Sequence, residues 1–122
     1  MIQVMREEKK FLINIAEFRQ KSHLLEQMLL QDKNNGTHGY RVRSLYFDTP
    51  YDRDFFEKRA GIELRRKVRL RIYNPEQNFA MLEMKQKQGE QQLKRSLKIS
   101  REDAVRIIKG DLSPLLSYPE PF

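Results

Sequence analysis

The sequence predicts an α+β fold in which an antiparallel β-sheet is flanked by helices, and three observations carry that expectation. Residues 62–73, IELRRKVRLRIY, alternate basic with mostly apolar positions, which is the period of a strand with two unlike faces. Residues 79–99 hold two further strand-like runs on either side of Gly89, as a hairpin would. Segments opening at Asn14 and Ser100 begin with helix-capping residues and continue at helical spacing.

Taken in order, residues 4–13 read as a first strand whose face carries Arg6, Glu8 and Lys10. Asn14 with Glu17 forms a capping box, and Ile15, Phe18, Leu25, Met28 and Leu29 make an apolar stripe that runs towards Asn34-Asn35-Gly36. This predicts an amphipathic helix covering the core. Residues 40–48 read as a second strand. Thr49-Pro50 then opens a short helix to about Arg59, stopped at Gly61, with Asp48 suited to a cap. The alternating charges Arg53, Asp54, Glu57, Lys58 and Arg59 fit a solvated helix face.

The cationic strand follows, broken at Asn74-Pro75, and two strands over 79–87 and 91–99 come next. Ser100 and Asp103 cap a last helix through Ile108, and Gly110 stops it. Ser113-Pro114 and the terminal YPEPF read as an exposed or interrupted connection, with Pro119-Glu120-Pro121-Phe122 resembling a cut end. Phe47, Phe55, Phe56 and Phe79 are assigned to the core.

At 122 residues, with 39% hydrophobic and 34% charged, the chain suits one domain with a modest core. Its net charge of +7 favours a phosphate-rich partner: nucleic acid, nucleotide, polyphosphate or an anionic membrane surface. The absence of cysteine excludes thiol catalysis, thiolate metal sites and disulfides. No segment approaches the roughly 20 apolar residues of a membrane span, and the amino terminus lacks a signal-peptide core, so a cytoplasmic location is expected. His23 and His38 have no second ligand at a metal-type spacing and read as surface or packing residues.

The chemistry sits on the charged strand faces. Arg65, Lys67, Arg69 and Arg71 share one face, with Arg66 on the other, and no acid interrupts the run. Glu83, Lys85 and Lys87 form a second such face, and Lys94 with Lys98 a third. If adjacent strands point these faces the same way, they form a basic surface carrying the carboxylates of Glu8 and Glu83. Arginine forks hold phosphate oxygens in pairs and lysines act as mobile point charges, so such a surface can bind a chain of phosphates. Glu8 and Glu83 then serve either as salt-bridge partners that orient the cations or as ligands for a hard divalent ion.

These residues resemble the VTC domain, the polyphosphate polymerase branch of the CYTH-like triphosphate tunnel enzymes. The resemblance rests on RxExK at Arg6, Glu8 and Lys10 followed by Phe11, on SLYFDTP at 44–50, on GIxxRxKVRLRxY at 61–73, on LExKxK at 82–87 and on a basic strand around Lys94. Ser96 departs from the pattern, standing where a second cation is expected.

The resemblance implies that the sheet is part of a triphosphate-tunnel β-barrel and that residues 1–122 correspond to the amino-terminal half of the tunnel domain. It implies binding of ATP, triphosphate or polyphosphate, Mn²⁺ or Mg²⁺ as cofactor, and transfer of the ATP γ-phosphate to a polyphosphate chain. Lys10, Arg69, Arg71 and Lys85 are then the catalytic cations, and Arg6, Lys67, Lys87, Lys94 and Lys98 bind phosphate. Glu8 and Glu83 are the metal-side carboxylates. A half-barrel leaves unpaired edges, so a homodimer or a complementing second half is expected.

The rival readings are a nucleic-acid-binding module, a polyphosphate or inositol-phosphate sensor without turnover, and a triphosphate hydrolase. The cationic strand carries few interleaved aromatics, which gives nucleic acid no strong case, and no P-loop lysine motif is present.

Overall fold

The computed structural model describes residues 2–118. In chain order the elements are β1 (Ile2–Glu7), α1 (Ile15–Met28), β2 (Arg43–Phe47), α2 (Arg53–Arg59), β3 (Leu64–Ile72), β4 (Phe79–Gln88), β5 (Gln91–Ser100) and α3 (Arg101–Ile108). A 3-10 helix, Ser113–Ser117, follows α3. The described residues form two compact units: one joins the stretch up to Glu8 with that from Val42 onward, and the other is Lys9–Arg41.

The first unit contains the whole sheet. All its strand pairs are antiparallel in the order β1-β5-β4-β3-β2, and the sheet is not closed into a barrel. β4 and β5 are joined through Gly89-Glu90, with Gly89 at φ 57, the left-handed first position that a two-residue II′ hairpin requires. The register is therefore fixed by the turn, and every basic or apolar side chain is committed to one face.

The apolar face packs Leu70, Ala80, Leu82, Leu97 and Ile99 against Ala104 and Ile107 of α3. Burying an aliphatic side chain as fully as Ile99, 1% exposed, stabilises by roughly 1.5–3 kcal/mol. Ser100 caps α3 by accepting the Asp103 N–H at 3.1 Å, as its sequence position predicts. Beyond the 3-10 helix, Tyr118 also packs against this core, donates its hydroxyl to Asp103 Oδ2 at 2.7 Å and accepts the Ser100 N–H at 3.2 Å. The carboxy-terminal segment is thus anchored as far as Tyr118. The expectation for residues 119–122 falls outside the described residues.

Two element boundaries differ from expectation for local reasons. β1 ends at Glu7 instead of reaching residue 13, because its partner β5 begins at Gln91, opposite Glu7. α2 starts at Arg53, three residues beyond Pro50, after Asp52 takes φ 53. Asp48 caps it from outside, accepting the N–H groups of Asp54 and Phe55 at 2.9 and 3.0 Å, while Thr49 Oγ1 accepts that of Arg53. Phe55 and Phe56 are exposed and stack edge to face at 5.4 Å; they do not join the core, whereas Phe47 does pack against it.

The second unit contains α1. Its capping box forms as predicted, with Asn14 Oδ1 accepting the Glu17 N–H at 2.8 Å and Asn14 Nδ2 donating to Glu17 Oε1 at 3.0 Å. The helix stops at Met28, well before Asn34. None of its residues is buried.

Candidate functional site

Register partners in antiparallel strands project to the same face, so the pairing decides which charges meet. Lys67 of β3 pairs with Lys85 of β4, and Lys85 pairs with Lys94 of β5. These lysines form one row running across three strands. The next level along the strands pairs Arg69 with Glu83, Glu83 with Ser96, and Arg69 with Tyr46 of β2. On the other side of the lysine row, Arg65 pairs with Lys87, Lys87 with Gln92, and Gln92 with Arg6 of β1. A last level carries Arg71, Met81 and Lys98, with Ser44 opposite Arg71. The proposed common basic face is therefore formed by β1, β3, β4 and β5, and β2 adds Tyr46 and Ser44.

Glu83 organises the middle of this face. It is 2% exposed, and its Oε2 accepts from Arg69 Nε at 2.7 Å while Oε1 lies 3.0 Å from Lys94 Nζ. Arg71 Nε stands 3.8 Å from the same Oε2. Burial pushes the carboxyl pKa up, but the hydrogen bonds and charges of Lys94 and Arg69 outweigh it and hold the group below its usual range. Arg69 also donates Nη1 to the Tyr46 hydroxyl at 3.2 Å, with its guanidinium 6.0 Å from that ring's centre. That hydrogen bond lowers the Tyr46 pKa. Ser96, the departure from the family pattern, is buried opposite Glu83, where a small side chain leaves Lys94 to reach the carboxylate.

Of the lysine row, Lys94 is paired with Glu83, whereas Lys67 and Lys85 are packed among further cations. Burial lowers the pKa of Lys85, and the positive charges of Arg69, Arg6 and Lys94 lower it further against the opposing pull of Glu8. Burial lowers Lys67 likewise, aided by Lys58 of α2 and by Arg65. Lysines pushed down by burial and by one another are stabilised by an arriving anion. Arg6 contacts Glu8 at 3.3 Å. Lys98 lies over the Phe79 ring at 4.2 Å, an aromatic contact at the margin of the face.

Both oxygens of Glu83 are engaged by cations, Glu8 is engaged by Arg6, and no cluster of three or more metal-ligating side chains occurs among the described residues. Of the two roles open to Glu83, the geometry is that of a salt-bridge hub.

The sequence profile of the VTC domain matches residues 5–120. The chain belongs to the VTC domain family. A search of curated proteins and of solved structures gave no match.

Within this VTC domain, the structure brings together Lys67, Lys85 and Lys94 as one row, with Arg69, Arg71 and Glu83 beside them and Arg6 and Lys87 on the next level. Lys10 belongs to the other compact unit and is exposed. Sequence reasoning missed Tyr46 and Ser44, which hold Arg69 and Arg71, and assigned Lys58 to a solvated face although it adjoins Lys67. Tyr46 and Ser44 share strand parity, a signal that becomes usable only once β2 is registered on β3. No helix among the described residues is long and apolar enough to cross a membrane.

Proposed function

We propose that the basic face binds a linear phosphate chain: tripolyphosphate, polyphosphate or the phosphates of ATP. The observation that carries this reading is the Lys67, Lys85 and Lys94 row, three ammonium groups aligned by register and held partly out of water. Arg69 is fixed by Glu83 and Tyr46, so it is pre-set to meet phosphate oxygens without reorganising, and Arg71 stands beside the same carboxylate.

In the complete VTC domain this face would be part of the wall of a triphosphate-tunnel β-barrel, of which the chain represents the amino-terminal half. A second copy or a complementing second half would cover the β1 and β2 edges. The reaction there is transfer of the ATP γ-phosphoryl group: the terminal oxygen of a polyphosphate chain bonds to the γ-phosphorus as the bond to the bridging oxygen of ADP breaks. Most of the catalysis in such a transfer is positioning and charge neutralisation, which a cationic wall supplies. The proposal includes Mn²⁺ or Mg²⁺ held mainly by substrate oxygens, since the described carboxylates of this chain form no cage for it, and a cytoplasmic location.

The test is a thermal-shift titration with tripolyphosphate, with and without Mn²⁺, beside a single-stranded oligonucleotide and sulfate at matched ionic strength. Specific binding raises stability by about 2.7 kcal/mol at a hundredfold excess over Kd. Stabilisation by tripolyphosphate above both controls is the expected result. Equal stabilisation by the oligonucleotide would replace this reading with general polyanion or nucleic-acid binding.

A further inference from the structure

A cavity of about 550 Å³ lies between the end of β2 and α2, lined by the rings of Tyr46 and Phe55 and by the lysines Lys58 and Lys67. Lys67 comes from β3, where its register partner is Lys85 of β4. Lys58 of α2 stands within hydrogen-bonding reach of it. An ammonium group has only donors, so two lysines can share a hydrogen bond only if one of them is the neutral amine. Lys67 is held partly out of water whereas Lys58 is exposed, and burial penalises the charged form. The charges of Lys58 and Arg65 push Lys67 the same way, against the pull of Tyr46.

An ordinary lysine is neutral in roughly one molecule in a thousand at pH 7.5, and each unit by which its pKa falls gives about tenfold more free amine. Only the neutral amine attacks a carbonyl carbon, and desolvation beside a second cation is what makes a lysine nucleophilic. The surroundings select the reagent. Three acids line the cavity, but Asp48 accepts the backbone N–H groups of Thr49, Asp54 and Phe55, Arg66 offsets the charge of Asp54, and Asp52 is exposed. The cations Lys58, Arg65 and Lys85 around Lys67 favour an acylating agent whose leaving group is an anion.

We propose that Lys67 is a modification site, acylated directly by acyl phosphates. Its amine nitrogen bonds to the acyl carbon as the bond from that carbon to the phosphate oxygen breaks. The phosphate leaves with the electron pair and takes up the proton that the nitrogen sheds, so the products are a neutral amide and inorganic phosphate. Acylation erases a lysine's charge and thereby removes one of the three cations of the Lys67, Lys85 and Lys94 row. That consequence, unlike the modification itself, rests on the reading of the face as a phosphate-chain site.

The experiment exposes the full chain to acetyl phosphate at about pH 7.5 and constant ionic strength, with acetic anhydride in parallel, and follows acetylation of each lysine by peptide mass spectrometry. Lys109, exposed at the end of α3, is the internal reference. Acetyl phosphate should acetylate Lys67 at least about tenfold faster than Lys109, and the neutral anhydride should show a smaller preference. Lys58→Gln should slow the reaction of Lys67 and move its rate profile to higher pH, leaving Lys109 unchanged. Matching rates for Lys67 and Lys109 under acetyl phosphate, a Lys67 preference confined to the anhydride, or a Lys67 rate indifferent to Lys58→Gln would overturn the proposal. Acetylation of Lys67 that leaves tripolyphosphate affinity unchanged would uphold the modification and overturn the phosphate-row reading.

Discussion

Glu83 is the residue on which the site geometry depends. A buried carboxylate that holds two cations by direct contact is costly to remove, because Arg69 is left 7% exposed with its charge unmatched. Glu83→Ala should destabilise the fold by about 3–5 kcal/mol, read as a lowered urea midpoint. The pH dependence has a definite sign. The folded-state pKa of Glu83 lies below its usual 4.5, so its contribution is fully present above 4.5 and is lost as pH falls through the folded value. Acid titration of the urea midpoint should show a loss below 4.5 that is smaller in Glu83→Ala.

The lysines titrate in the opposite sense. Lys67 and Lys85 have pKa values below the usual 10.5, and a bound polyanion favours their charged forms. Tripolyphosphate affinity should therefore fall as pH rises from neutrality towards 10.5, with proton uptake on binding over that window. Calorimetry in two buffers of different ionisation enthalpy measures the uptake, and Lys67→Gln combined with Lys85→Gln should remove it. The lowered pKa of these groups was hidden in the sequence, which displays lysines but not what surrounds them.

At the scale of elements, the caps and the hairpin were legible because they depend on residues a few positions apart. Asn14 with Glu17, Ser100 with Asp103, and Gly89 all act as their spacing predicts. Ser100→Ala should cost roughly 0.5–2 kcal/mol, since α3 carries Ala104 and Ile107 into the core, and the fall in melting temperature should come without loss of tripolyphosphate binding. The start of α2 was not legible. Thr49-Pro50 has the sequence of a helix opening, yet the Asp48 carboxylate reaches across the turn and sets the first turn at Arg53. Local propensity gave way there to a side-chain acceptor whose range exceeds one turn.

Strand parity made the charged face readable one strand at a time, but only the pairing register revealed that Lys67, Lys85 and Lys94 form a row while Arg69 meets Glu83. Tyr46 and Ser44 were overlooked for the same reason: their partners are 23 and 27 residues away. For α1, amphipathic spacing specifies that an apolar face exists and not what it meets.

For the molecule as a whole, the sheet ends in β1 and β2, and many large apolar side chains are exposed, Leu45 and Tyr46 on β2 and Ile2 and Met5 on β1 among them. Such edges template pairing with another chain. Under the half-barrel proposal, sedimentation should show concentration-dependent self-association of the chain, and addition of a complementing second half should reverse it.

The central claim is that a register-defined basic face binds a phosphate chain. Its most direct test is tripolyphosphate calorimetry on the unaltered chain, on Lys67→Gln with Lys85→Gln, and on Arg66→Gln as a charge control from the opposite face. The account predicts binding that the lysine substitutions weaken by a hundredfold or so, about 2.8 kcal/mol, and that Arg66→Gln leaves intact. Equal weakening by both, or none by the lysine pair, would contradict it.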